Sequence, residues 1–159
     1  MGRIQARAVW GQLDHHNPGD KLPNAVAILD PKREDCSYPY DSLSGAGVGF
    51  KLMQALAEKY NIEDSILYQS LDLLATSNAA DIVPITGENR ILTRYGLNKI
   101  NENPLPGIKA MKEIAGPNKE YKISDVVFKI APRINSAGRM ASGNKAVEIL
   151  ISENVNDAL

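Results

Sequence analysis

Asp14, His15 and His16 stand side by side, and the two histidines are the only ones in the chain. Adjacent imidazoles placed after a strand can face one cleft, where one ring binds a metal while the other donates to a phosphate oxygen. Asp14 can orient one ring by accepting its N–H. The plainer alternative for all three is a solvated turn. Asp81 is the second candidate. It interrupts an apolar stretch, Ala-Ala-Asp-Ile-Val-Pro, and a carboxylate buried there must be paired, hydrogen-bonded or metal-bound. Its alternative is a helix-end carboxylate in water. The third candidate is the segment from Lys129 to Met140, where Arg133, Asn135, Ser136 and Arg139 share a backbone carrying Pro132 and Gly138. Arginine forks fit phosphate bidentately. The Pro, Ala, Gly and Met residues between the polar groups point to partial burial; a solvated basic loop is the alternative.

Other residues carry weaker signals. Gly45-Ala46-Gly47-Val48-Gly49 could cradle an anion through its N–H groups, but it lacks the Lys-Ser/Thr ending of a P-loop and the dinucleotide spacing. Tight packing of a helix against a strand is the preferred reading. Cys36 follows Glu34 and Asp35, so nothing local activates its thiol, and it reads as an inert packed residue. A single cysteine also excludes an internal disulfide and a cysteine-built zinc site. Ser44 and Ser136 have no second signal of a nucleophile triad. Tyr38 and Tyr40 either stack on bases or pack the loop, and Lys32-Arg33 reads as solvent-exposed.

The elements that must position these residues alternate in type. Ala6–Trp10 is a weak strand ended by Gly11, and Asn24–Leu29 reads as a buried parallel strand. Residues 14–20 and 31–49 read as loops. Phe50–Lys59 spaces Leu52, Met53, Leu56 and Ala57 for one helix face. Ser65–Ala80 is a second helical pattern, and Pro84 beyond it puts Asp81 near a chain reversal. Glu88–Ile100 and Ile108–Ile114 are further helices. Ser124 is a cap for Asp125–Ile130, Ala131–Gly143 reads as irregular, and Asn144–Ile151 resumes a helix. The expected fold class is α/β: a partial parallel sheet flanked by helices, with a helical C-terminal connecting region. The histidine pair then lies at a strand's carboxyl end, where open α/β sheets bind ligands, and Asp81 is expected to approach His15 there.

The chain has 159 residues, 43% hydrophobic and 23% charged, which suits a packed core and argues against wholesale disorder. A net charge of −1 excludes a histone-like nucleic-acid binder but not an enzyme with a local basic cleft. No stretch approaches the roughly 18 apolar residues of a membrane helix, and no secretory leader is visible. The expectation is a soluble cytoplasmic domain.

The order of the pieces resembles one family. Asp14-His15-His16, then Leu22-Pro23-Asn24 through Asp35-Cys36, Leu43–Leu52, Leu71–Ile85 and Ile130–Met140 together resemble RecJ-type exonucleases, the single-stranded-DNA-specific members of the DHH phosphoesterase family. The resemblance covers most of the chain from Asp14 onward. It implies a DHH-phosphoesterase-like fold and two-metal hydrolysis of single-stranded DNA from a 5′ end, with Mn2+ or Mg2+, in DNA repair and recombination. It implies that His15 and Asp81 bind metal and that His16 approaches the scissile phosphate as the catalytic histidine; Asp14, from its position beside them, keeps the supporting role of orienting a ring. It points to Arg133, Asn135 and Arg139 as substrate contacts.

The family's upstream aspartate motifs have no counterpart in residues 1–13, which contain no acidic residue. The expected division is therefore an atypical or foreign leader (1–13), the C-terminal part of a DHH domain (14–86), and a connecting helix with the start of a substrate-side region (87–159). The DHH-associated domain is not expected within the chain. On this reading the chain is a fragment of a nuclease with an incomplete two-metal site, inactive alone, whose partners are single-stranded DNA and the remainder of the same nuclease. The alternatives are a non-catalytic truncated paralogue that binds nucleic acid and a DHH-family small-molecule phosphatase.

Overall fold

The computed structural model describes residues 11–116, 119–140 and 143–159, with side chains except those of residues 139 and 140. Its sheet consists, among the described residues, of two short strands, β1 (Gly11–Leu13) and β2 (Ala27–Leu29). They pair in parallel with Gly11 opposite Ala27 and Leu13 opposite Leu29. The strand expected at Ala6–Trp10 lies outside the described residues; β1 begins at the Gly11 that was expected to end it. The parallel pairing of the second strand agrees with its sequence reading, but its burial does not. Val26 and Leu29 are exposed, as is Leu13, while Gln12 and Ile28 at the strand centres are half-buried.

Helices build the rest: α1 (Gly45–Tyr60), α2 (Asp64–Tyr68), α3 (Leu71–Ala80), α4 (Gly87–Glu102), α5 (Pro106–Ala115), α6 (Ile123–Asp125), α7 (Ala131–Met140), α8 (Gly143–Leu150) and α9 (Val155–Ala158). The family-like α/β class holds with the weight strongly on helices. Helix α1 starts five residues before the expected Phe50. Ser44 caps it by accepting the Gly47 N–H at 3.1 Å, so the glycines lie inside the first turns rather than in a preceding loop. Its buried face carries Val48, Phe50 and Ala57, while Met53 and Leu56 are exposed. The expected Ser65–Ala80 helix divides into α2 and α3 at Gln69–Ser70.

The largest correction concerns residues 131–143, expected to be irregular. Ala131–Met140 is helix, continuous with a π-helical turn over Val126–Ile130. Pro132 has no N–H to donate and its ring crowds the preceding turn. The widened turn, in which the Ala131 N–H reaches the Val126 carbonyl, relieves that crowding just before the proline. Ser124 is not the cap of this run. The Asp125 carboxylate instead accepts the Lys122 N–H at 3.0 Å. Cys36 is exposed rather than packed.

Two apolar clusters hold the helices. Phe50, Ala57, Leu67, Leu71 and Leu74 join α1, α2 and α3. Ala75, Ala79, Ile100, Ile108, Met111, Tyr121, Val126 and Ile130 join α3, α4, α5 and the π turn. Close approach of α4 to α3 requires Gly96: a Cβ there would lie 2.2 Å from the Leu71 carbonyl oxygen. No described helix is long and apolar enough to cross a membrane.

Candidate metal centre

Strand β1 ends at Leu13, and the Asp14 N–H still reaches the Leu29 carbonyl at 2.9 Å. The sheet thus aims the histidine pair. Asp14 then folds the turn around its own carboxylate. Its Oδ1 accepts the N–H of His15 at 2.8 Å and of His16 at 3.1 Å, and meets His16 Nδ1 at 2.8 Å. The His16 ring contact, then the two backbone N–H groups, hold the Asp14 carboxyl well below the usual carboxylate range. The imidazole rings sit 4.2 Å apart, tilted by 46°. Their surroundings differ: the His16 side chain is 78% exposed and that of His15 18%. His15 packs against α1, where a Cβ on Gly45 would lie 3.3 Å from its Cδ2.

Asp81 arrives from the other direction. It caps α3, and Ile82 at φ 53° turns the chain back in the left-handed region. Its Oδ2 lies 3.8 Å from His15 Nε2. The expected approach of Asp81 to His15 is therefore present at the carboxyl end of β1. With 39% of its side chain exposed, Asp81 is a partly solvated helix-end carboxylate, not an ion buried in apolar surroundings.

Buried polar residues hold this meeting point, of which the sequence reading weighed Ser44 alone, and only as a nucleophile. Ser44 Oγ donates to Asn78 Oδ1 at 2.6 Å, and Asn78 Nδ2 donates to Thr93 Oγ1 at 3.0 Å. All three are buried. The chain of bonds ties the start of α1, which touches His15, to the last turn of α3, which ends in Asp81, and to α4. Asn89 Nδ2 donates to the carbonyls of Ser42 (2.7 Å) and Pro84 (3.0 Å), clamping the loop before α1 to the turn after Asp81. A signal for these residues exists in the spacing. Asn78 continues the buried stripe of Leu71, Leu74 and Ala75, while Asn89 and Thr93 precede Gly96 and Ile100 on the buried face of α4. Polar residues on a buried helix stripe must find partners.

The remaining candidates lie elsewhere. Tyr40 packs its ring on Gly87 and donates to the Thr86 carbonyl at 3.0 Å. Tyr38 donates to Glu88 at 2.5 Å, so both tyrosines pack the loop. Arg33 forks onto Asp35 and reaches the Ile28 carbonyl. Arg133 donates from α7 back to the Lys129 carbonyl in the π turn. Asn135 is exposed on the same helix, and the Arg139 side chain lies outside the described residues. Among the described residues no hydrogen bond or ion pair links Arg133 or Asn135 to His15, His16 or Asp81.

One imidazole nitrogen and one carboxylate oxygen, 3.8 Å apart at a solvent-accessible strand end, are a mixed donor pair of the kind that suits Mn2+ and accepts Mg2+. They fit part of a metal site. Among the described residues no group of three or more His, Cys, Asp or Glu side chains could hold an ion.

Residues 4–77 match the profile of the DHH family, N-terminal domain. The chain is 41% identical over 156 residues to the single-stranded-DNA-specific exonuclease RecJ of Salmonella typhimurium, covering 91% of this chain and 27% of that protein. It is 38% identical over 146 residues to the Bacillus subtilis RecJ, covering 91% and 18%. Among solved structures, exonuclease RecJ bound to manganese superposes with a TM-score of 0.78 at 32% identity, over 93% of this chain and 37% of that one. RecJ from Thermus thermophilus in complex with Mg2+ gives 0.71 at 31% identity, over 82% and 20%. The chain thus spans little more than a quarter of the first curated relative, at 27%.

Proposed function

We propose, from the match of residues 4–77 to the DHH family, N-terminal domain, that this chain supplies part of the metal centre of a cytoplasmic single-stranded-DNA exonuclease. The reaction is two-metal hydrolysis of phosphodiester bonds from a 5′ end, in DNA repair and recombination. The observation that carries the reading is the convergence of His15 Nε2 and Asp81 Oδ2, 3.8 Å apart, from two separate elements.

His15 and Asp81 would hold a divalent ion, Mn2+ or Mg2+. When bound, such ions activate water and stabilise charge on the leaving oxygen. The other roles belong to the chain's own groups. Asp14 takes the Nδ1–H of His16, which leaves Nε2 of the exposed ring to meet a phosphate oxygen, as a donor when the ring is charged. Gly45 lets the start of α1 approach the His15 ring closely, and the Ser44–Asn78–Thr93 bonds tie the α3 end to it. Arg133, Asn135 and Arg139 on α7 are assigned to the strand's backbone. Residues 14–86 carry the metal-binding part, and residues 87–159 connect it towards the substrate side. The further ligands of a two-metal centre are assigned to the rest of the same nuclease, so the chain by itself is expected not to cleave.

The test is Mn2+ binding, followed by the ion's electron paramagnetic resonance signal, alongside release of nucleotides from a 5′-labelled single strand. Weaker Mn2+ binding by about 10-fold or more in His15→Ala and in Asp81→Asn is expected. Unchanged Mn2+ affinity in either variant overturns the ligand assignment. Cleavage by the chain alone, lost in His15→Ala, overturns the assignment of the missing ligands to another part of the nuclease.

A further inference from the structure

The outward face of α4 carries two adjacent stripes of different chemistry. Arg90, Arg94 and Asn98 recur every four residues along one edge of the helix, about 6 Å apart along its axis. Ile91 and Tyr95, also four apart and exposed, line the next edge, and Tyr95 is 62% exposed. These five residues wall a shallow cavity of about 600 Å³ with no carboxylate in its lining. Neither guanidinium has an ion pair or hydrogen bond among the described residues, whereas Lys51, Lys129 and Lys145 each face a carboxylate. The nearby Glu88 is engaged by Lys51 at 3.0 Å and by Tyr38 at 2.5 Å. Glu102 lies two turns beyond Arg94 and closes the stripe at its far end. Positive charge is thus concentrated on the half of α4 that follows the Asp81 turn.

We propose that this face of α4 is a binding track for a single strand of nucleic acid. Arg90 and Arg94 take successive phosphates as forks, Asn98 donates to a backbone or base-edge oxygen, and Tyr95 with Ile91 offers an apolar platform on which an unpaired base stacks. A duplex keeps its bases stacked inside and gives Tyr95 nothing to cover. An acidic peptide would use the arginines without needing a flat ring beside them. The proposal rests on the nuclease reading for the choice of nucleic acid among polyanions. It adds to that reading a contact surface separate from the metal ligands and from Arg133, Asn135 and Arg139.

The experiment measures binding of a fluorescein-labelled oligothymidylate by fluorescence anisotropy, in EDTA, over a series of KCl concentrations. The proteins are the wild-type chain, the double variant Arg90→Gln/Arg94→Gln, Tyr95→Leu, and Arg33→Gln as a control arginine from the β2 loop. Circular dichroism checks that each is folded. Loss of two phosphate contacts should make the slope of log K against log salt shallower by about 1.4 in the double variant. Tyr95→Leu should weaken binding about 5- to 100-fold, and Arg33→Gln should change neither quantity. No binding by the wild-type chain at low salt, an unchanged slope in the double variant, or an equal loss in Arg33→Gln overturns the track. So does tighter binding of an oligoglutamate peptide than of the oligonucleotide. EDTA removes the metal from the measurement, and Mn2+ binding through His15 and Asp81 is read separately. The track can therefore fail while the nuclease reading stands, and the reverse.

Discussion

The strand edge and the helical body of this molecule are built on opposite terms. The edge consists of β1, β2 and the loop that bears Asp14, His15 and His16. Leu13, Val26 and Leu29 face solvent there, and the turn is held by a single carboxylate collecting three short hydrogen bonds. In the helical body, Ile100, Ile108, Val126 and Ile130 are wholly buried, and Ser44, Asn78 and Thr93 bond in a chain. The groups that can bind a metal thus sit where little apolar surface is buried. Their geometry is imposed from the body through two points: Gly45 under the His15 ring and Asp81 at the end of α3. Partial solvent exposure lets a site exchange ligands, and rigid helices behind it keep the donor atoms at a fixed spacing.

If that contrast is right, the same kind of substitution should cost far more in the body than at the edge. Ile100→Ala, at the centre of the larger cluster, should destabilise the chain by about 2–5 kcal/mol in urea unfolding. A cost below about 1 kcal/mol would mean that the α3–α4–α5 cluster is not the stabilising centre. Gly96→Ala should cost about 1–3 kcal/mol, because its Cβ meets backbone rather than a yielding side-chain tip. The read-out is again the urea midpoint.

Asn78→Ala tests the link between the two regions. Removing it leaves the buried Ser44 hydroxyl without its acceptor and Thr93 Oγ1 without its donor, at a cost of about 1–3 kcal/mol. Mn2+ binding should weaken as well, under conditions where the variant is still fully folded by circular dichroism. Unchanged Mn2+ affinity would break the claim that the body sets the His15–Asp81 spacing. Leu29→Ala, at the exposed strand, should stay within about 0.5 kcal/mol of wild type.

The smallest effect is one of pH. Burial pushes the Lys112 ammonium below its ordinary value of 10.5, where Nζ donates to the Ile100 carbonyl at 2.5 Å and lies over the Tyr121 ring. A lysine depressed in the folded state costs stability while it is charged, and the cost is relieved as pH rises through the folded value towards 10.5. The stability of wild type relative to Lys112→Met should therefore improve as pH rises through the folded value towards 10.5. A flat difference across that window would show that the amine is not desolvated in solution.

Much of this architecture was legible in the residues. Apolar spacing located α3, α4 and α5, Pro84 marked the reversal beside Asp81, and parallel pairing followed from the apolar run up to Leu29. These are local signals: a helix stripe or a turn residue acts on neighbours within a few positions. The helix through Ala131–Met140 was not legible, because Pro132 and Gly138 each argue locally against one, and only the π turn packed in the core overrides them. The start of α1 among three glycines depends on the Ser44 cap, and that serine is in turn engaged by Asn78, 34 positions away.

By itself, the sequence determined which groups are available for chemistry: two imidazoles, one adjacent carboxylate, and a second carboxylate held at a proline-enforced turn. The tertiary structure alone decided that His15 and Asp81 meet, that His16 stays exposed while His15 is packed, and that Arg90 and Arg94 find no acidic partner among the described residues. Residue type fixes what an atom can bind. Distance, burial and the presence of a partner are properties of positions far apart in the chain, and only packing brings those positions together.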